Sequence, residues 1–403
     1  MNILFLSLSK VWNINEREIY SDLLREFTKN GHDVFVVTPV ERRYKEKTTL
    51  IDQGKAKVLK VKTLNIQKTG FLEKGLGTVL LEHQFLKAIK RYYRDISFDL
   101  ILYATPPITL VKPIEYIKKR DHSKTYLLLK DIFPQNAVDI GMMRTNGIKG
   151  ILYKVFRKKE KQLYAVSDYI GCMSQANIDY VLKHNPEITL EKVEVCPNSI
   201  EYLDMSLSDK EKVEMRKKYD LPIDKKIFVY GGNLGKPQGI PFLINCLRAE
   251  EQNDLAFFLI VGDGTEYGKL ETFVNEEKPK NVKLMRRLPK EDYDRMISAC
   301  DVGMIFLDHR FTIPNFPSRL LSYMQAKLPI LACTDSNTDI GSVITQGDFG
   351  WWCESNDAVE FKTLVKNIIE EPLNILGRNG FHFLQKNYLS KSCYEVIMRR
   401  LKK

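Results

Sequence analysis

The chain has 403 residues, 44% of them hydrophobic and 28% charged, and Lys plus Arg exceed Asp plus Glu by a net +11. That length suits two domains of ordinary size, and that balance excludes a largely disordered chain. The positive excess suits an anionic partner (nucleic acid, an acidic membrane surface or a phosphorylated ligand) without choosing among them, and no apolar run reaches the about 20 residues that cross a bilayer.

Residues 2–8 read as a buried strand. They do not read as a secretory leader, because no basic start precedes them and Ser7, Ser9, Lys10 and Asn13 interrupt the apolar stretch. A helix is expected over 15–29, stopped by Asn30-Gly31, and a second strand over 33–39. Further strands read at 57–62, 99–104, 125–130, 168–173 and 192–196. Their alternation with helical segments is the pattern of a parallel sheet covered by helices. A polar, charged stretch at 204–226 opens a second series. Its strands read at 227–232, 256–262, 282–285, 302–306 and 329–332, and its helices at 239–249, 265–277, 290–299, 316–326 and 357–370. A basic helix is expected over 381–403. The expected class is therefore α/β with two Rossmann-like units, spanning 1–203 and 204–380, followed by the last helix.

The seven cysteines form no C-x-x-C pair, and the six histidines lack metal-ligand spacing. Buried thiols in a reducing cytoplasm are expected, with no metal site.

Three segments of the second unit suit phosphate. Tyr230-Gly231-Gly232-Asn233-Leu234-Gly235-Lys236-Pro237-Gln238-Gly239 runs from a buried strand into a Gly-rich loop and then a helix. Glycines let backbone N–H groups approach a ligand, the helix start offers free N–H groups, and Lys236 can neutralise a diphosphate. The loop is neither G-x-G-x-x-G nor a Walker loop, and a plain tight turn is the other reading. Gly262-Asp263-Gly264 again ends a strand, with Asp263 a ligand contact or a turn residue. Pro317-Ser318-Arg319 reads as a first helical turn. Arg319 there either pairs with phosphate or is simply solvated.

In the first unit, Thr105-Pro106-Pro107 and Asp131-Ile132-Phe133-Pro134-Gln135-Asn136 follow strands. Both are placed to line a cleft between the units. Asp131 either polarises an acceptor hydroxyl or caps a turn. The stretch Lys149–Tyr164 is basic and amphipathic, with Ile151, Leu152, Val155, Phe156, Leu163 and Tyr164 near helical spacing beside Lys154, Arg157, Lys158 and Lys161. It suits a helix on an anionic membrane, or a surface helix whose apolar stripe faces the core. Lys87, Lys90, Arg91 and Arg94 extend the basic character. No aromatic–basic motif or recognition helix supports nucleic-acid binding.

Taken in order, these segments resemble the retaining glycosyltransferases of family 4. The branch they resemble builds capsule and O-antigen repeat units and includes N-acetyl-L-fucosamine transferases. Val195-Cys196-Pro197-Asn198 and Tyr323-Met324-Gln325-Ala326-Lys327-Leu328-Pro329 complete the match. The resemblance implies a GT-B fold: two facing Rossmann-like domains, an acceptor side first, a donor side second, and a last helix that returns to the first domain. It implies a peripheral enzyme on the inner face of the plasma membrane. A sugar would pass from a UDP-sugar to an undecaprenyl-diphosphate-linked glycan, with retention and without cofactor or metal. Lys236 and Arg319 would hold the diphosphate. Gly232, Asn233, Leu234, Gly235, Gly262, Asp263, Gly264, Pro317, Ser318 and Ser322 would line the donor site, with Arg287 and Leu288 by the base. Thr105, Pro106 and Asn136 would face the acceptor, with Asp131 as the catalytic carboxylate. Many members carry two Glu about eight positions apart near the donor sugar. Those positions are Pro314 and Ser322 here, with Glu266 or Asp308 as substitutes. Two other readings stand beside this one: a UDP-sugar epimerase of the same shape, and a non-catalytic nucleotide-sugar-binding subunit.

Overall fold

A computed structural model describes residues 1–66 and 71–402, except the side chains of residues 71–76, 78, 79, 148 and 149. The chain divides into two units, Met1–Glu201 with Ser390–Lys403, and Tyr202–Leu389.

The first unit runs β1 (Asn2–Leu6), α1 (Ile19–Lys29), β2 (Asp33–Glu41), β3 (Thr49–Gln53), β4 (Ala56–Thr63), α2 (Phe71–Tyr92) and β5 (Leu100–Ala104). It continues through α3 (Val111–Asp121), β6 (Lys124–Leu129), α4 (Gln135–Asp139), α5 (Gly147–Val166), β7 (Tyr169–Cys172), α6 (Gln175–His184) and β8 (Val193–Val195). The strand order is β3-β4-β2-β1-β5-β6-β7-β8. Every neighbouring pair is parallel except β3 with β4. That antiparallel edge was not legible as a strand: β3 is short, polar and mostly exposed, so it carries no buried pattern. The central strands are buried at every position or nearly so, which is the pattern of a sheet covered on both faces. Each fully buried Phe, Leu or Ile there contributes about 1.5–3 kcal/mol.

The second unit runs α7 (Asp209–Lys218), β9 (Lys226–Asn233), α8 (Ile240–Ala249), β10 (Ala256–Asp263), α9 (Tyr267–Glu277), β11 (Val282–Met285) and α10 (Lys290–Ile297). Then come β12 (Val302–Phe306), α11 (Arg319–Gln325), β13 (Ile330–Thr334), α12 (Ile340–Gln346), β14 (Gly350–Glu354), α13 (Ala358–Glu370) and α14 (Leu373–Asn387). Its six parallel strands are ordered β11-β10-β9-β12-β13-β14. The order reverses between β9 and β12, the point at which such sheets hold ligands beyond their carboxyl ends.

Four boundaries differ from the sequence reading. The polar stretch before β9 contains α7, opened by a capping box in which Ser208 and Glu211 satisfy each other's backbone N–H. Helix α1 begins at Ile19, not at residue 15. Helix α11 begins at Arg319, so Pro317 and Ser318 precede it rather than form its first turn, and the Ser318 side chain makes no capping hydrogen bond. The helix expected over 381–403 is two helices, α14 and α15 (Ser390–Leu401), broken after Tyr388.

Helix α15 packs in the first unit. Cys393, Ile397 and Met398 join Leu23, Leu24 and Phe27 of α1 in one core. Tyr394 sets its ring edge-on to Phe27 at 4.9 Å, and Arg400 bonds Glu194 at 3.0 Å. The seven cysteines are buried and unbridged.

Candidate functional site

Most of the residues expected on the donor side gather at the switch point of the second sheet. Strands β9 and β10 stay in register to their last residues, pairing Gly232 with Gly262 and Asn233 with Asp263. Beyond them the Leu234 N–H donates to the Asp263 carbonyl at 3.0 Å, and the Glu266 N–H to the Leu234 carbonyl at 2.9 Å. The two loops are thus laced backbone to backbone. Gly262 and Gly264 sit where they are because the chains touch: a Cβ on either would lie 2.0 Å from the Gly232 oxygen and 2.3 Å from the Leu234 oxygen, respectively. Gly232 has φ +119°, which an L side chain rarely adopts. Leu234 and Gly235 are buried. The Gln238 amide oxygen accepts from the Asn233 side chain at 2.9 Å and from the Gly235 N–H at 3.1 Å. Lys236 is exposed on the short turn Lys236–Gln238, one turn before α8 rather than on the helix itself.

Arg319 is brought against this loop. Its guanidinium lies 3.8 Å from where a Gly232 Cβ would be and stacks over the Tyr230 ring at 4.2 Å. Its Nη1 is buried and has no hydrogen-bond partner. An unpaired buried donor on a cation is costly unless a ligand fills it. In the same segment the Asn315 side-chain nitrogen is also buried and unpartnered, while its carbonyl accepts from Thr338 at 2.6 Å. Ser322 is half-buried on α11.

The other candidates are placed differently. Asp263 accepts from the Gly264 N–H at 3.0 Å and lies 3.6 Å from Arg286, which stacks on Tyr267 at 3.5 Å. Arg287 is exposed and Leu288 half-buried just past β11. Neither proposed substitute for the missing Glu pair is free: Asp308 takes a bidentate pair from Arg310 at 2.8 and 2.7 Å, and Glu266 pairs with Lys269. Sequence reasoning did not single out Tyr293 of α10, Arg286, Gln238 or Asn315. Each looked like an ordinary residue of its element.

In the first unit, Thr105, Asp131 and Asn136 meet beyond β5 and β6. Thr105 Oγ1 accepts from the Lys130 and Asp131 N–H groups at 3.0 and 3.3 Å. The Asn136 amide donates to Asp131 Oδ1 at 2.7 Å, leaving its own oxygen buried without a partner. Burial pushes the Asp131 carboxyl up to about 6, against the hydrogen bonds from Asn136 and the Ile132 N–H. The bonds Thr105–Pro106, Pro106–Pro107 and Phe133–Pro134 are cis.

Helix α5 splits the amphipathic set read from sequence. Leu163 and Tyr164 are buried, and Phe156 packs edge-on against Phe133 at 5.0 Å. Ile151 and Val155 instead stand 61% and 52% exposed, with Leu152 and the nearby Met142 also exposed, so these do not belong to a core stripe. Lys154 and Lys158 flank them in solvent. Arg157 turns inward to Glu160 at 2.6 Å and Asn185 at 2.7 Å. The Lys149 side chain lies outside the described residues. Among the described residues no helix is long and apolar enough to cross a membrane.

Residues 211–382 match the family model described as glycosyl transferases group 1. The chain is 26% identical over 328 residues to the probable glycosyltransferase WbjE of Pseudomonas aeruginosa, spanning 80% of this chain and 78% of that one. It is 21% identical over 249 residues to the putative colanic acid biosynthesis glycosyl transferase WcaI of Escherichia coli (strain K12), spanning 61% and 60%. Among solved structures it superposes on Anabaena Alr3699/HepE in complex with UDP with a TM-score of 0.71 at 15% identity, over all of both chains. It superposes on sucrose-phosphate synthase from Thermosynechococcus elongatus with a TM-score of 0.78 at 14% identity, over 100% of this chain and 98% of that one. The switch-point loops and these likenesses agree on a chain of GT-B fold whose second unit is similar, over residues 211–382, to the glycosyl transferases group 1.

Proposed function

We propose that this chain is a retaining, metal-independent glycosyltransferase of capsule, O-antigen or exopolysaccharide assembly. It moves a HexNAc or deoxy-HexNAc, such as N-acetyl-fucosamine, from a UDP-sugar to a lipid-diphosphate-linked saccharide. The observation that carries the reading is Arg319: a half-buried cation whose Nη1 is buried and unpaired, set against Gly232 at the switch point. A diphosphate is the ligand that such a donor lacks. The name of WcaI, a putative colanic acid biosynthesis glycosyl transferase, supports polysaccharide assembly, and the UDP and UDP-glucose held by HepE support the donor class.

In the transfer, the bond from the sugar's anomeric carbon to the β-phosphate oxygen breaks, and a bond from that carbon to the acceptor oxygen forms on the same face. The leaving phosphate takes the acceptor's proton. Arg319 and Lys236 stabilise the charge that grows on UDP. Asp131, held by Asn136 and Thr105, orients the acceptor hydroxyl. The exposed ridge Ile151, Leu152 and Val155, with Lys154 and Lys158, seats the first unit on the anionic inner face of the plasma membrane.

The test is turnover of a panel of UDP-sugars on an undecaprenyl-diphosphate-linked acceptor in chelator, with product stereochemistry read by NMR. An α-linked product from an α-donor supports the reading. A new UDP-sugar isomer formed without acceptor replaces it with the epimerase, and UDP binding without turnover on any acceptor replaces it with the binding subunit.

A further inference from the structure

Arg319 is unusual in what surrounds it. Three carboxylates of these loops are already matched elsewhere: Asp308 to Arg310, Glu266 to Lys269, Asp263 to Arg286 and Gly264. What touches Arg319 is aromatic. Its Cζ sits 4.2 Å from the centre of the Tyr230 ring, where the negative face of the ring attracts a cation without neutralising it.

That ring is itself fixed. The Tyr230 hydroxyl donates to the Asn233 carbonyl at 2.8 Å, tying the floor to the Gly-rich loop. The Tyr323 hydroxyl, one helical turn beyond Arg319, accepts from the Gly231 N–H at 2.9 Å. Tyr293 reaches the same spot from α10: a Cβ on Gly231 would fall 1.8 Å from its hydroxyl oxygen, so residue 231 has room only for hydrogen. Three phenols from three elements thus converge on the carboxyl end of β9, beside one guanidinium. Burial pushes the Tyr323 phenol up to about 12, and pushes those of Tyr230 and Tyr293 up as well, so all three are neutral at physiological pH.

We infer that Tyr230, Tyr293 and Tyr323 are positioning residues that hold Arg319 as an uncompensated cation, so that the donor's phosphate is its first counter-charge. A carboxylate in their place would compete with that phosphate, and an apolar floor would leave the guanidinium loose. This rests on the reading of the switch-point loops as a UDP-sugar site, and deepens it by naming what tunes the phosphate contact.

The experiment is calorimetric titration of the full chain with uridine and with UDP, in wild type, Arg319→Met, Tyr293→Phe and Tyr323→Phe, at two salt concentrations. The quantity read is the ratio of the uridine Kd to the UDP Kd, which isolates the phosphate contribution. A structural role alone would weaken both ligands together or neither. Wild type is expected to favour UDP, more strongly at low salt. Tyr323→Phe removes the hydroxyl bonded to Gly231 and is expected to shrink the ratio about five- to tenfold with the uridine Kd unchanged. Tyr293→Phe is expected to act in the same direction. If Arg319→Met collapses the ratio while both Phe variants keep it, the tyrosine floor is overturned and the diphosphate site stands. If wild type binds UDP no better than uridine, the diphosphate site falls and the inference falls with it.

Discussion

Gly262→Ala tests the lacing of the two switch-point loops most directly. A Cβ there would lie 2.0 Å from the Gly232 carbonyl oxygen, 3.1 Å from its carbon and 3.3 Å from Leu234 Cγ. The first neighbour is backbone, so no rotamer change relieves the clash. Real Cβ contacts do not fall under 3.0 Å, so β9 and β10 must part by about 1 Å at their carboxyl ends. Overpacking of this kind costs about 1–3 kcal/mol. The parting also stretches the Leu234–Asp263 and Glu266–Leu234 backbone bonds, now 3.0 and 2.9 Å, each worth about 1 kcal/mol. The expected loss is therefore about 3–5 kcal/mol. The internal control is Gly268→Ala, on α9, where an added Cβ meets nothing within 4 Å. That change is expected to stabilise by about 0.5–1 kcal/mol through helix propensity. Urea unfolding followed by tryptophan fluorescence reads both, because Trp351 and Trp352 lie in β14 of the same unit. UDP titration below the transition reads the loop geometry. A Gly262→Ala protein within about 0.5 kcal/mol of wild type and binding UDP normally would refute the reasoning.

Four further outcomes are expected. Lys236→Ala should lower kcat about tenfold or more with little change in acceptor KM, in steady-state assays at saturating donor. Arg319→Met removes a half-buried cation whose buried Nη1 has no partner, so its urea midpoint should equal or exceed that of wild type even as UDP binding fails. Arg216→Met should do the opposite: Arg216 is buried, serves four carbonyls and pairs with Asp301 at 2.8 Å, so its loss is expected to destabilise by about 3–5 kcal/mol, read by the same unfolding assay. Asp131 titrates near 6 in the fold against 3.8 unfolded, so the folded state binds the extra proton between those values. Stability should then fall as pH rises from about 4 to about 6, and kcat/KM should rise through pH about 6 as the carboxylate forms. Asp131→Asn should flatten both profiles.

The strands of both sheets were legible because burial on two faces leaves nearly unbroken apolar runs, as in β5, β12 and β13. β3 was not, since an exposed antiparallel edge keeps polar residues at most positions. β14 was missed because Gly350 and the half-exposed Trp351 and Trp352 dilute its pattern. At the site, Gly232, Gly262 and Gly264 stood out by spacing, and Arg319 by its place before an apolar helix. The tyrosines did not: Tyr230 and Tyr323 read as core aromatics of a strand and a helix, which they also are. Only the fold shows that the Tyr323 and Tyr293 hydroxyls meet at Gly231 while that of Tyr230 ties to Asn233. The basic helix α5 was legible as amphipathic, but which apolar residues face outward depends on where α5 rests on its sheet, and periodicity cannot fix that.

Helix α15 has a consequence for the order in which the protein is made. Its Cys393, Ile397 and Met398 are part of the wall around α1, and Ser390 bonds back to Ile200 at 3.0 Å, so the first unit is sewn from two distant stretches of chain. On the ribosome, Tyr202–Leu389 is a continuous segment and has all of its own strands before residue 390 is added. The earlier-numbered unit must wait, with the Leu23, Leu24 and Phe27 side of α1 still wet, until α15 emerges. A chain halted before residue 390 would present that α1 face to chaperones.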